Sequence, residues 1–167
     1  MRNLVTHTSY SRVTFSTPLI SGTHMNKLKA AGAICYLQDG KDTLFLVLRS
    51  SKNGEWGPPK GHAEPFESEL ETATRELYEE AGLRSVRFLP GFRETTAYSV
   101  IKKKETFEKE AIYFLCEMPN DEVTISSEHS EYHFATLDEL DVILAHESMK
   151  EIFRKALQYI KTQHPKQ

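Results

Sequence analysis

Cysteine is scarce in this sequence, and long apolar stretches are missing. Only two of the 167 residues are Cys, too few for a disulfide scaffold or a four-Cys zinc site. No apolar run approaches the roughly 20 residues that a membrane-spanning helix needs, so we expect no membrane partner. Apolar residues make up 39% of the chain and charged residues 27%, so wholesale disorder is excluded and one domain with a sizeable core is expected.

Acidic residues are absent from the first part of the chain. Residues 1–38 carry four basic residues and no Asp or Glu, whereas residues 64–80 carry seven Glu and one Arg. The formal net charge of −3 therefore combines a basic segment, residues 1–38, with a dense acidic segment, residues 64–80. A mildly negative chain has little general affinity for nucleic acid, so we expect no stable nucleic-acid complex.

The head, residues 1–24, is rich in Ser and Thr and has no helical or strand periodicity. Three interpretations stay open: an organelle transit peptide, a misassigned or artificial start with Met25 as the first native residue, or a plain flexible terminus. We therefore expect an N-terminal extension over residues 1–26, one domain over residues 27–163 and a tail over residues 164–167.

The two cysteines, Cys35 and Cys116, both lie in apolar runs typical of strands. Buried thiols of this kind fit a reducing compartment, so we expect a cytoplasmic protein. Organelle targeting by residues 1–24 is the alternative.

Apolar and capping patterns predict five main strands and three helices. The strands are expected at residues 30–37, 43–49, 86–100, 107–118 and 131–136. The helices are expected at residues 68–81, 137–145 and 149–162, opened by the capping boxes Ser68/Glu71, Thr136/Glu139 and Ser148/Glu151. Residues 58–61 are predicted to be a loop, because their two prolines disfavour helix and strand. This order favours a mixed α+β sandwich.

The first helix has a predicted apolar side and a predicted end. Its buried stripe is expected to comprise residues at helical spacing, namely Leu70, Ala73, Leu77 and Ala81. Gly82 is expected to end the helix.

Three glutamates of this helix, Glu76, Glu79 and Glu80, are spaced i, i+3, i+4 and share one face. Like charges at this spacing repel each other, and a hard cation such as Mg²⁺ would remove the conflict. Arg75 can bind one carboxylate bidentately and fix its rotamer. The alternative is a solvated acidic face, which is the commoner fate of a Glu run.

The residues around this helix follow the pattern G-x5-E-x7-R-E-U-x-E-E-x-G-U, in which U is apolar. All seven fixed positions match, and they are Gly61, Glu67, Arg75, Glu76, Glu79, Glu80 and Gly82. The chain therefore resembles the Nudix hydrolase family over about residues 28–163. The resemblance implies an α/β/α sandwich with a mixed sheet, and water attack on a phosphorus of a nucleoside diphosphate derivative with Mg²⁺ or Mn²⁺ as cofactor.

The resemblance also assigns roles to these residues. It implies that the metal-binding carboxylates are Glu76, Glu79 and Glu80, with one of them activating water. Arg75 orients the cluster, and a backbone carbonyl near Gly61 completes the metal site. Glu67 ties the preceding loop to the helix.

Two further motifs are similar to those of the asymmetric diadenosine tetraphosphate hydrolases. Residues 56–62, WGPPKGH, match a W-x-P-P-K-G-H stretch, which implies that Trp56, Lys60 and His62 contact substrate. Ser127-Glu128-His129 resembles a second motif of that branch, which makes Glu128 a fourth acidic metal ligand or water-activating group. The alternative for Glu128 is a loop acid paired with Lys or Arg.

Tyr98 and Tyr113 match positions where tyrosines of that branch stack on adenine, although strand tyrosines also commonly belong to a core. Lysines at 102–104 and Lys109 offer cations for distal phosphates, and we expect Lys103 and Lys109 to bind substrate. A lysine run at a hairpin tip can also be purely solubilising.

Two residues depart from the branch. Glu55 stands where animal members commonly have His, and Phe66 stands where Gly is usual in the loop before the helix. These departures bear on the substrate and leave the chemistry unchanged.

The resemblance implies a Mg²⁺-dependent enzyme that cleaves diadenosine tetraphosphate asymmetrically to ATP and AMP. The expected partner is a small-molecule dinucleoside polyphosphate, and a monomer is expected. Three alternatives remain: an RNA 5′-pyrophosphohydrolase or nucleoside triphosphate sanitising enzyme, a non-catalytic Nudix-like binding module, and an acidic helix that is plain surface.

Overall fold

The computed structural model describes residues 28–102 and 105–163, which form seven strands and three helices. The strands are β1 Leu28–Asp39, β2 Asp42–Ser50, β3 Trp56–Gly57, β4 Lys60–His62, β5 Arg87–Lys102, β6 Glu105–Glu117 and β7 His129–Ala135. The helices are α1 Glu69–Ala81, α2 Leu137–Ile143 and α3 Glu147–Gln163.

All seven strands belong to one mixed sheet. The main path runs β3-β2-β1-β6-β5, with β4 paired to β1 and β7 paired to β2. Strands β1 and β6 are parallel, and the other pairs are antiparallel. The first half of β1 pairs with β4 and its second half pairs with β2, so the sheet divides beside residues 56–62.

The two faces of the sheet carry two separate cores, because successive strand residues point to opposite sides. In β1, Ile34 and Tyr36 pack toward α2 and α3, whereas Ala33 and Cys35 pack toward α1. The Sγ atoms of Cys35 and Cys116 lie 3.2 Å apart in the α1 core, and both residues are fully buried. This arrangement confirms the predicted α/β/α sandwich with a mixed sheet.

Helix α1 begins and ends at predicted residues. Ser68 and Glu71 form the reciprocal hydrogen bonds of a capping box, and Gly82 ends the helix with φ +71°. Leu77 is buried as predicted, but Leu70 is 43% exposed. The prediction that Leu70 is buried is wrong, because the first turn of α1 lies over an open groove, where Leu70 faces solvent.

Two other local predictions are also corrected. Residues 60–62 form β4, because Lys60 and Gly61 pair with β1 even though Pro58 and Pro59 precede them. The predicted Ser148/Glu151 capping box is absent, since α3 already begins at Glu147 and Ser148 lies within its first turn. The Thr136/Glu139 box at α2 is confirmed.

The helices within residues 28–102 and 105–163 are all too short or too polar to cross a membrane.

Candidate active site

Arg75, on α1, connects the loop before the helix to the acidic face. Its Nε and Nη2 donate to the two carboxylate oxygens of Glu67 at 2.7 and 3.1 Å. Its Nη1 donates to Glu76 at 2.8 Å and to Glu79 at 3.1 Å, and Nη2 also donates to the His62 carbonyl. The bidentate partner is therefore Glu67, and Arg75 fixes two of the three helix carboxylates with its remaining donors.

Glu67 is held from three sides. It accepts hydrogen bonds from Arg75, from the Glu64 backbone N–H and from the Thr72 hydroxyl. The Arg75 contact is the main reason that the pKa of Glu67 falls to about 2. Glu67 is thus ionised at neutral pH and ties the loop to the helix, as the resemblance implies.

Glu76 lies directly against the backbone of Gly61. A Cβ atom added to Gly61 would lie 2.0 Å from Glu76 Oε1, well inside van der Waals contact. Only glycine leaves room at this position for the carboxylate. The structure therefore brings together two of the residues expected at a metal site.

Glu80 is the most buried acidic residue of the helix, with 8% exposure. Its Oε2 accepts a 2.9 Å hydrogen bond from the Lys60 backbone N–H, and its Oε1 lies 3.9 Å from His129 Nε2. Burial, together with the charges of Glu76 and Glu128, raises the pKa of Glu80 to about 7.

Glu128 lies in the loop before β7, opposite α1. Its carbonyl accepts from the Ser51 N–H at 2.9 Å, which anchors this loop to the end of β2. Its negative charge contributes to raising the pKa of Glu76, whose main cause is burial. The carboxylates of the helix and of the loop therefore share one electrostatic environment.

These residues fit a hard divalent cation by their chemistry. Carboxylate oxygens are the ligands that such ions prefer, and the charges of Glu76 and Glu128 help to raise the pKa of the Glu80 carboxyl. Within the described residues, no three acidic, His or Cys side chains are close enough together to hold an ion as they stand. The Glu76 carboxylate instead accepts a hydrogen bond from Arg75, and the Glu80 carboxylate accepts one from the Lys60 N–H.

A cavity of about 490 Å³ opens beside Glu80. Its volume is within the range of small-molecule sites. Its lining includes Lys60, Glu80 and His129 and two aromatic residues, Trp56 and Tyr113. Other lining residues are Asn53, Glu55, Pro58, Leu144, His146 and Met149.

The predicted substrate residues divide into two groups. Trp56, Lys60 and Tyr113 line the cavity, although Tyr113 is only 1% exposed and also belongs to the α3-side core. His62 and Lys109 are outside the cavity lining, with Lys109 Nζ 3.4 Å from His62 Nε2. Their role in substrate binding stays a prediction.

The remaining candidates are Tyr98 and Lys103. The backbone of Tyr98 pairs with Lys109 on β6, which puts it on the same hairpin. Lys103 lies outside the described residues.

Part of the cavity lining comes from the end of α2 and the start of α3, which the sequence motifs do not predict. Leu144, His146 and Met149 line the cavity, but they lie far along the chain from the motifs. The sequence offers no local signal for this contact, because it depends on how α3 packs against the sheet.

The comparisons with known proteins agree with this geometry. The NUDIX domain model matches residues 28–156, and the chain therefore belongs to the Nudix family. It is a Nudix hydrolase, and the motif glutamates Glu76, Glu79 and Glu80 are all present. Nudix hydrolases generally need a divalent metal ion.

Within the family, the chain is similar to asymmetrical bis(5′-nucleosyl)-tetraphosphatases. It is 36% identical to that of Sus scrofa over 145 residues and 35% identical to that of Rattus norvegicus over 144. Each alignment covers 80% of this chain and 95% of the relative. The crystal structure of a C. elegans Ap4A hydrolase binary complex superposes with a TM-score of 0.75 at 30% identity, covering 81% of this chain and 98% of that one.

Proposed function

We propose that the chain catalyses Mg²⁺-dependent, asymmetric hydrolysis of diadenosine tetraphosphate to ATP and AMP. The observation that carries this proposal is the cavity, whose lining includes Lys60 and Glu80, with Glu80 on the same helix as Glu76 and Glu79. Relatives that bear the name of this activity match nearly their whole length to this chain.

Each residue has a distinct part in the proposed reaction. The Lys60 ammonium holds phosphate oxygens as a point charge. Glu76, Glu79, Glu80 and Glu128 would hold the divalent cation, which supplies neutralisation of the phosphate charge. One of these carboxylates accepts a proton from the attacking water, and Arg75 keeps Glu76 and Glu79 oriented.

The asymmetry of the cut follows from holding one nucleoside in the cavity. The carboxylates then lie a fixed number of phosphates from that base, so one phosphoanhydride bond is presented to water. Water adds its oxygen to the phosphorus next to one adenosine, and ATP leaves.

Hydrolysis in ¹⁸O-labelled water tests this proposal. Diadenosine tetraphosphate is incubated with the enzyme and Mg²⁺. The products are separated by ion exchange, and their masses are measured by mass spectrometry. We expect equal amounts of ATP and AMP, with the label in AMP. Two molecules of ADP would refute the asymmetric cut, and cleavage of only RNA 5′ ends or nucleoside triphosphates would refute the substrate.

We also propose a cytoplasmic monomer whose domain spans residues 27–163. The buried, reduced pair Cys35 and Cys116 supports a reducing compartment. Light scattering coupled to gel filtration tests the monomer, and mass spectrometry of the N-terminus of the protein from cells tests whether residues 1–26 are retained.

A further inference from the structure

The loop between β6 and β7 runs along the C-terminal end of α1 and carries Glu128. The last carbonyls of a helix have no partner within the helix, so they need donors from elsewhere. The Ser126 N–H of this loop donates to the Glu80 carbonyl at 3.1 Å. The Thr124 N–H donates to the Ala81 carbonyl at 3.0 Å. The loop therefore caps the helix whose carboxylates we propose as metal ligands.

Side-chain packing keeps this loop close to the helix. Val123 and Ile125 alternate along the chain with the two donor residues, and both side chains pack against the α1-side core. A Cβ atom added to Gly82 would lie 3.0 Å from Thr124 Cβ, which is tighter than an ordinary contact. The glycine that ends α1 therefore also leaves room for the loop.

Ser126 contacts both of the segments that carry these carboxylates. Besides the donation of its N–H to α1, its hydroxyl accepts a long hydrogen bond, 3.4 Å, from the Glu128 N–H. Its carbonyl accepts from the His129 N–H at 3.1 Å. This last bond closes a turn in which Glu128 is the third residue. Ser126 thus connects the backbone of Glu80 to that of Glu128.

The same turn is also attached to the end of β2. The Ser51 N–H donates to the Glu128 carbonyl at 2.9 Å, and the Ser51 hydroxyl donates to the Ser127 carbonyl at 3.3 Å. Glu128 itself is exposed, but its charge acts on the helix, since it helps to raise the pKa of Glu76 and of Glu80. The turn therefore presents Glu128 to the α1 carboxylates from a backbone that is held on two sides.

We infer that Ser126 is a positioning residue that sets the affinity of the acidic site for a divalent cation. The inference rests on the proposed function, because it takes Glu80 and Glu128 as ligands of one ion. A ligand group that is already held near its partners loses less conformational freedom when the ion binds. The Ser126 hydroxyl contributes one hydrogen bond to this arrangement, and a bond of ordinary net strength changes an equilibrium constant about fivefold.

Mn²⁺ binding to the full-length protein without substrate tests this inference, with the free ion measured by electron paramagnetic resonance. Ser126→Ala should weaken Mn²⁺ binding about fivefold. Ser126→Thr keeps a hydroxyl, so its affinity should stay within about twofold of the wild type. Ser85→Ala is the matched control and should leave the affinity unchanged, because Ser85 is exposed and outside both the loop and the cavity lining.

Activity and urea unfolding provide two further readouts on the same variants. Ser126→Ala should raise the Mg²⁺ concentration for half-maximal activity about fivefold, with kcat at saturating Mg²⁺ within about twofold of the wild type. The urea midpoint of the metal-free variant should stay close to that of the wild type. A much lower midpoint would mean that Ser126 acts on the whole fold, and it would overturn the inference.

The binding measurement separates failure of this inference from failure of the proposed function. If the wild type binds Mn²⁺ and Ser126→Ala binds it equally well, the inference is overturned and the proposed function stands. If the wild type binds no Mn²⁺, the inference fails together with the metal site of the proposed function.

Discussion

The backbone N–H of Lys60 donates a 2.9 Å hydrogen bond to the carboxylate of Glu80, a residue 20 positions further along the chain. Lys60 is fixed by the pairing of β4 with β1, and Glu80 is fixed by α1. The contact therefore sets Lys60, which we propose to bind phosphate, and the helix carboxylates at a constant separation. This hydrogen bond also satisfies one oxygen of the buried Glu80 carboxylate. A buried carboxylate without such a partner would be costly to ionise.

Glu80→Gln should abolish metal-dependent turnover. The substitution keeps the shape and one oxygen but removes the charge that a divalent cation would neutralise, so we expect kcat to fall by about 10²–10⁴-fold. Hydrolysis of diadenosine tetraphosphate with Mg²⁺ measures this effect. Turnover within a few-fold of the wild type would contradict the catalytic assignment of Glu80. Glu122→Gln, at an exposed residue outside the cavity lining, should retain full activity.

The metal-free protein should lose stability as the pH rises from about 4.5 to 7. The pKa of Glu80 is raised to about 7, so in this window the folded state binds a proton that the unfolded state releases. The stabilisation that this proton provides is fully present below pH 4.5 and is lost by pH 7. The loss is on the order of 3 kcal/mol if Glu80 alone titrates. Urea unfolding of wild type and Glu80→Gln in a chelator at several pH values isolates this contribution.

Other carboxylates titrate in the same pH range, so the contribution of Glu80 is measured as the difference in the free energy of unfolding between wild type and Glu80→Gln. We expect the stability difference between Glu80→Gln and wild type to grow with pH in favour of the variant. A divalent cation should cancel the difference by stabilising only the wild type. A pH-independent difference would show that Glu80 has an ordinary pKa.

Glu67 and Arg75 should behave as one unit in mutagenesis. Lys cannot reproduce the forked contacts of Arg75 with Glu67, Glu76 and Glu79, so Arg75→Lys is expected to lower kcat by about 10–100-fold. Glu67→Gln should have a smaller effect of the same kind. The double variant should be no worse than about twofold below Arg75→Lys, because both substitutions disrupt one contact. Additive losses would mean that the two residues act separately.

Acid unfolding gives an independent readout of the same pair. The pKa of Glu67 is lowered to about 2, so its stabilising contribution is complete above about pH 4.5 and is lost as the pH falls toward 2. Glu67→Gln should make stability less sensitive to pH in this window.

The elements with local signals were predictable from the sequence. Ser68 and Glu71 form their capping box and Gly82 takes the left-handed conformation, because these features depend on residues within one turn. The spacing of Glu76, Glu79 and Glu80 likewise predicts a shared acidic helix face from local geometry alone.

Features that depend on distant contacts were not predictable in this way. Three like residues at helical spacing gave no indication that Glu80 would be buried while Glu79 stayed exposed, since burial depends on β4 and the loop before β7. Leu70 fits the apolar stripe by spacing, yet the first turn of α1 has no core above it. The cavity wall at His146 depends on the packing of α3.

Gly61→Ala should inactivate the enzyme without unfolding it. The added methyl group would lie 2.0 Å from Glu76 Oε1, so the carboxylate must move away, and it can do so because it ends a flexible side chain. Displacing a carboxylate that is proposed to bind the metal is expected to reduce kcat by at least about 100-fold, while the urea midpoint stays close to that of the wild type. Activity and unfolding measured on one preparation separate these effects. Loss of both together would mean that the methyl group disrupts the pairing of β4 with β1, and retention of activity would mean that the position of Glu76 against Gly61 is not needed for catalysis.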